Sequence, residues 1–237
     1  NPPIVRASTI IFKTMNELRK TQARGKKNPI GGHFDYGRQG TSTTYILQKM
    51  LKEMEEYYHV FLTPTGFGSV FLSIFSVVRP GDEILVADPV YYPTRLLTQD
   101  FLKPFNIKTI FYNPHDLNTL KSKITKKTKL IYVESPGSNS FEFQDLSKIV
   151  SIAKKHKLFT AIDNTWATPY FLKPIKLGFD MSIVSATKYY SGHSDVMGGS
   201  LAVNKIVFNK VKTAERNTGL RLGPDDAYLI TRGLRTL

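Results

Sequence analysis

Seven short apolar runs punctuate the chain, at 60–62, 83–87, 108–112, 129–134, 159–163, 181–185 and 200–203, separated mostly by longer amphipathic stretches. Most runs are continuously apolar and rich in β-branched residues, as in strands covered on both faces. The intervening stretches predict helices at 42–57, 67–78, 92–101, 117–124, 145–156, 208–217 and 225–237. In the first of these, Ile46, Leu47, Met50, Leu51 and Met54 share one stripe. Strand–helix alternation of this kind specifies an α/β domain with a mainly parallel sheet between helices. Residues 1–41 lack a repeating apolar stripe and read as an extended or irregular arm, leaving 42–237 as the folded domain.

Parallel sheets bind ligands beyond the carboxyl ends of their strands. The chain's chemistry-bearing residues fall there. Asp163 closes one apolar run, and Lys188 lies just past another, in Ser185-Ala186-Thr187-Lys188-Tyr189. Thr63-Pro64-Thr65-Gly66, Asp88-Pro89 and Glu134-Ser135-Pro136 follow three more. A lysine amine can condense with an aldehyde, and a carboxylate can keep a pyridine nitrogen protonated. Together these are the requirements for holding pyridoxal 5′-phosphate (PLP), where the cofactor does the chemistry and the protein supplies orientation and electrostatics. Read singly, Asp163 suits an Asx turn and Lys188 a solvated surface position. Their joint placement at strand ends favours the cofactor.

The run Thr63-Pro64-Thr65-Gly66-Phe67-Gly68-Ser69 leaves a strand and opens a helix. Backbone amides there can cradle a phosphate, or the segment is a plain helix cap with turn glycines. It is neither a Rossmann nor a Walker loop. Ser185 and Thr187 offer hydroxyls to the same phosphate. Arg38, in Tyr36-Gly37-Arg38, offers a fork suited to phosphate, and Tyr91 could stack on a planar ring or simply pack. Ser191, His193, Ser194 and Asp195 are too close in sequence to converge as a hydrolase triad. The five histidines lack metal-ligand spacing, so no metal is expected.

The absence of cysteine excludes disulfides and thiolate chemistry and suits the cytoplasm. The net charge of +14 raises nucleic acid and membrane partners, but the lysine clusters do not interleave with aromatics. The apolar stretch 70–78 is too short to span a bilayer. Neither partner is expected.

From end to end the chain resembles the Cys/Met-metabolism PLP enzymes, the transsulfuration family. The resemblance rests on Asn1-Pro2-Pro3, Arg6-Ala7-Ser8-Thr9, Tyr36-Gly37-Arg38, Gly66-Phe67, Tyr91, Glu134-Ser135-Pro136-Gly137-Ser138, Asp163-Asn164-Thr165-Trp166-Ala167, Ser185 to Tyr189, Gly192 to Asp195 and Arg232-Gly233-Leu234-Arg235-Thr236-Leu237. Glu-Ser-Pro-Gly-Ser and Asp-Asn-Thr-Trp look like the bacterial cystathionine β-lyase branch, whereas γ-acting members more often show Glu-Ser-Pro-Thr-Asn-Pro. The resemblance implies the large domain of PLP fold type I, with a mixed seven-stranded sheet. It implies Lys188 as cofactor lysine and proton carrier, Asp163 on the pyridine nitrogen, and Gly66, Phe67, Ser185 and Thr187 on the phosphate. Tyr91 would lie on the ring and assist departure of the leaving group. Tyr36 and Arg38 would reach the phosphate of a neighbouring subunit in a homo-oligomer, a dimer of dimers with shared sites.

The implied reaction is β-elimination of cystathionine, a small sulfur amino acid, to homocysteine, pyruvate and ammonia. The rivals are γ-lyase, γ-synthase or methionine γ-lyase activity, amino-acid racemisation, and an inactive PLP-binding remnant. The family continues past Arg-Gly-Leu-Arg-Thr-Leu into a smaller domain carrying an arginine for the substrate carboxylate. The expectation for a chain ending at Leu237 is therefore a fragment, a split-gene product, or a weak lyase.

Overall fold

The computed structural model describes residues 2–237; Asn1, at the head of the Asn-Pro-Pro motif, lies outside them. All seven predicted strands are present: β1 His59–Thr63, β2 Glu83–Ala87, β3 Lys108–Tyr112, β4 Thr128–Glu134, β5 Phe159–Asp163, β6 Met181–Val184 and β7 Gly199–Val203. They form one sheet in the order β1-β7-β6-β5-β4-β2-β3. The pairings from β6 through β5, β4 and β2 to β3 are parallel, and β7 runs antiparallel to both β1 and β6. The mixed, mainly parallel sheet is the predicted one.

Around it lie α1 Met15–Lys27, α2 Ser42–Glu55, α3 Gly66–Phe75, α4 Tyr92–Leu96, α5 Leu117–Ser122, α6 Leu146–Lys155, α7 Thr168–Phe171, α8 Pro174–Leu177, α9 Phe208–Thr218 and α10 Pro224–Gly233. Strand alternation sorts the core onto two faces. Phe61, Ile183, Leu201 and Val203 bury against residues of α3, α6 and α9. Val60, Leu62, Val184 and Ala202 bury against Leu47 and Leu51 of α2 and Ala227 and Ile230 of α10. No helix among the described residues is long and apolar enough to cross a membrane.

The expectation of an irregular arm over 1–41 is corrected by α1. No residue of that helix is buried, so it carries no apolar stripe to detect. Its signal is a cap. Thr14 Oγ1 accepts the Glu17 amide at 3.2 Å, and Glu17 reaches back to the Lys13 amide at 3.1 Å. Arg24, Lys26 and Lys27 complement the dipole of its last turn. The single helix predicted over 92–101 is instead α4 followed by a wider turn, Leu97–Phe101, with i to i+5 bonding. That turn sets the Phe101 ring 6.1 Å from Phe71. Likewise α10 stops at Gly233 and tightens into the 3-10 turn Leu234–Thr236.

One buried charge stands out in this frame. Glu55, the last residue of α2, is fully buried and accepts the Tyr190 hydroxyl at 3.1 Å, while its second oxygen has no partner among the described residues. Burial pushes its carboxyl up from 4.5 to about 7, opposed by the Tyr190 hydrogen bond. The folded chain therefore holds this proton between about pH 4.5 and 7, where the unfolded chain releases it. Its contribution to stability falls as pH rises through that window. We expect Glu55→Gln to match wild type near pH 4.5 and to exceed it at pH 8 by roughly 3 kcal/mol, the free-energy equivalent of that shift. Urea unfolding at the two pH values checks this; a difference independent of pH would contradict it.

Candidate functional site

The carboxyl ends of β1, β2, β4, β5 and β6 open onto one edge of the sheet, and the turns leaving them supply the site. β5 ends on Asp163, whose side chain is nine-tenths buried. Its Oδ1 accepts the Thr165 amide at 3.0 Å, the Asx turn anticipated for such a residue. In the parallel pairing of β4 with β5, Glu134 lies directly opposite Asp163. Side chains at matched positions on adjacent strands share a face. Two carboxylates thus stand side by side with little water. Burial, and then the neighbouring Asp163 charge, push the Glu134 carboxyl well up; burial likewise raises Asp163, against its Thr165 hydrogen bonds. Such a pair prefers to share a proton or to meet a cation.

β6 leads through Ser185 into a tight turn carrying Lys188, which is exposed. The turn is pinned from every side. Ser191 N–H donates to the Ala186 carbonyl at 3.0 Å and Gly192 N–H to that of Lys188 at 2.8 Å. The Thr187 hydroxyl is engaged with the Gly198 backbone at 3.1–3.2 Å. Tyr190, fully buried, anchors the turn to Glu55 beneath it. Gly233 of α10 packs so closely that a Cβ there would come within 2.1 Å of the Ser191 carbonyl oxygen. The lysine is an exposed side chain on a fixed base. No ion pair joins it to Asp163 among the described residues, so the amine and the carboxylate remain available to different ends of a ligand.

Thr165 joins the two turns. Besides its amide contact to Asp163, its hydroxyl accepts the Ser185 amide at 2.8 Å. Across from it, α3 begins at Gly66. Thr65 caps the helix through the Gly68 amide at 3.0 Å. The amides of Gly66 and Phe67 have no protein acceptor among the described residues, as first-turn amides require an outside partner. A Cβ on Gly66 would lie 2.4 Å from Ser185 Oγ and 2.9 Å from its Cα. Only glycine lets the helix start approach the β6 turn this closely, which brings two amides and a hydroxyl together at a positive helix end.

Tyr91 opens α4 at half exposure. Its amide donates to Glu134 Oε2 at 2.6 Å. Trp166, Phe141 and Tyr189 form an exposed aromatic group beside the two turns, with ring centroids 4.9 and 6.1 Å apart. Tyr36 and Arg38 do not join the strand-end group within one chain: the Arg38 guanidinium lies over the Tyr36 ring and donates to the Arg216 carbonyl at 2.9 Å. Ser191, His193 and Asp195 do not converge. The Ser191 hydroxyl bonds the Thr187 and Lys188 carbonyls, His193 Nδ1 meets the Ser191 carbonyl oxygen, and Asp195 pairs with Arg232. Sequence reading gave no role to Glu134 or Thr165. The signal for Glu134 was present, as a second carboxylate closing an apolar run.

The chain matches the family model described as Cys/Met metabolism PLP-dependent enzyme over residues 1–237. It is 38% identical over its whole length to a Rhizobium johnstonii protein, of which it covers 58%. Similarity extends to the cystathionine beta-lyase of Bordetella avium, at 33% identity with 100% of this chain and 59% of that one covered. The L-alanine/L-glutamate racemase of Wolbachia pipientis is also similar, at 33% identity, with 100% and 60% covered. Among solved structures, metB from Corynebacterium glutamicum superposes with a TM-score of 0.90 at 27% identity, over 100% of this chain and 58% of that one. The chain spans about 58–67% of the length of the first curated relatives it matches.

The Gly66 contact carries a prediction. Gly66→Ala must push the α3 start from Ser185, so we expect loss of about 1–3 kcal/mol of stability from the forced overpacking and weaker retention of inorganic phosphate or PLP. Thermal unfolding and equilibrium binding check this; wild-type values for both would show that the close approach is dispensable.

Proposed function

The chain belongs to the Cys/Met metabolism PLP-dependent enzyme family, and from that premise we propose that it is the cofactor-binding domain of a carbon–sulfur lyase acting on cystathionine. The carrying observation is the convergence at the strand ends: a buried Asp163, an exposed Lys188 on a pinned turn, and two amides of Gly66 and Phe67 brought against Ser185. These residues fit PLP. Asp163 suits the ring nitrogen, because a buried carboxylate pair is relieved by a cation. Lys188 supplies the amine for the aldehyde. Gly66, Phe67 and Ser185 supply donors for the phosphate, in a cradle that any Cβ on Gly66 would fill. Thr187 joins them by exchanging its Gly198 contacts. Tyr91 offers its ring to the cofactor face.

When bound, PLP supplies an electron-withdrawing ring that stabilises negative charge developing at the substrate Cα. The rest is the work of this chain. The Lys188 amine takes the Cα proton and passes a proton to the departing sulfur, a positioned general base and then acid. Asp163 keeps the ring nitrogen's proton in place. Tyr91 attends the departing sulfur. The Cβ–S bond breaks, homocysteine leaves, and water releases pyruvate and ammonia from the remaining carbons. Tyr36 and Arg38 serve the phosphate of a second copy, since within one chain Arg38 is held against α9. The working assembly in this reading is a cytoplasmic homo-oligomer, a dimer of dimers, with residues 1–41 as its arm.

Relatives with other printed activities give a second reading weight. They include an L-methionine gamma-lyase of Pseudomonas putida at 31% identity and the racemase already named. Feeding cystathionine separates the cases: pyruvate for β-elimination, 2-oxobutyrate for γ-elimination, and chiral analysis of alanine for racemisation. We expect Lys188→Ala to lose both the visible absorbance of covalently held PLP and at least ~100-fold of pyruvate production, the scale of a positioned proton-transfer group. Wild-type-like pyruvate from that variant would overturn the proposal.

A further inference from the structure

Glu134 lies outside the roles assigned above. It is buried, it stands opposite Asp163 across the β4–β5 ladder, and one of its oxygens is committed. That oxygen, Oε2, takes the Tyr91 amide at 2.6 Å. The strand end behind it is fixed as well: Gln144 Nε2 donates to the Glu134 carbonyl at 2.7 Å, and the Gln144 amide donates to Ser135 Oγ at 3.2 Å. Ahead of Tyr91 the Ser138 amide donates to the Pro89 carbonyl at 2.8 Å, tying the strap after β4 to the segment after β2. On its far side the Tyr91 carbonyl accepts the Thr94 and Arg95 amides at 2.9 and 3.2 Å, which starts α4.

Tyr91 therefore has its backbone gripped at both ends while its ring is half exposed. Of the two grips, the α4 bonds are generic to a helix start. The carboxylate is not. Burying a second acid beside Asp163 is costly to the fold, and the side-chain acceptor it places there is the partner of the Tyr91 amide. What this costly side chain holds is the backbone at the start of α4.

We propose that Glu134 is a positioning residue that tethers the Tyr91 backbone, and through it the Tyr91 ring, over the ligand position defined by Asp163 and Lys188. The role rests on the PLP reading given above for what the ring faces, but the tether itself is a property of the chain alone.

Two measurements on the full chain keep these apart. The first uses no cofactor. Amide hydrogen exchange followed by NMR should show the Tyr91 amide protected in wild type and in Glu134→Gln, which keeps a carbonyl acceptor. In Glu134→Met, which fills similar volume without an acceptor, it should exchange about tenfold faster or more, the scale for losing a buried hydrogen bond. The second is PLP titration followed by visible absorbance. Glu134→Gln should bind within about threefold of wild type and a folded Glu134→Met about tenfold more weakly. An unprotected Tyr91 amide in wild type overturns the tether even should Glu134→Met fail to fold. Wild-type PLP affinity in a folded Glu134→Met overturns the positioning of the Tyr91 ring over the ligand. A protected amide in a wild-type chain that does not bind PLP upholds the tether and instead overturns the proposed function.

Discussion

Thr165 makes the two hydrogen bonds that turn neighbouring strand ends into one site. Its amide holds the Asp163 carboxylate and its hydroxyl holds the Ser185 amide, so the end of β5 and the exit from β6 cannot move independently. The acid side of the site and the lysine-bearing turn are spaced by that one residue, with the sheet register Asp163 opposite Ile183 behind it. Helix α3 then approaches Ser185 at a distance only Gly66 permits. Each of these contacts is backbone to side chain, so the geometry is set by the fold rather than by flexible surface groups.

The cost of this arrangement is electrostatic. Asp163 and Glu134 are buried in register, and each disfavours ionisation of its neighbour. A core serving only stability would replace both with apolar residues, since buried charges are usually neutral or unfavourable for folding. The chain tolerates further buried acids in Glu55 and Glu215, but these have local partners in Tyr190 and Arg221. Glu134 and Asp163 face each other and are bound only by backbone amides and the Thr165 side chain. This pair of buried acids at the mouth of a parallel sheet is where a neighbouring cation would be most favourable.

How much of this was legible in the sequence follows from what each feature depends on. The strands were legible because continuous β-branched runs leave few alternatives, and all seven fall within two residues of their predicted ends. Asp163 and Lys188 were legible because a carboxylate and an amine at strand ends have a chemistry in common. The helix α1 was not, because its apolar pattern is absent and only the Thr14–Glu17 cap announces it. Thr165 was not, and Glu134 only as a carboxylate closing a strand, because their roles exist only once β4, β5 and β6 are laid in register. Sequence alone gives neither the strand order nor which residues become neighbours across it.

The same platform accommodates more than one outcome. Proteins named as a cystathionine beta-lyase, an L-methionine gamma-lyase and an L-alanine/L-glutamate racemase align with this chain over essentially its whole length at 31–33% identity. These reactions share their first demand, which is removal of a Cα proton into a stabilised system, and differ in what leaves or returns afterwards. A carboxylate, an amine and a phosphate cradle satisfy the shared demand. The divergence must therefore be governed by groups that meet the substrate beyond Cα. At the rim of this chain's strand ends stand Tyr91, held by Glu134, and the Trp166–Phe141–Tyr189 group, above the pinned turns.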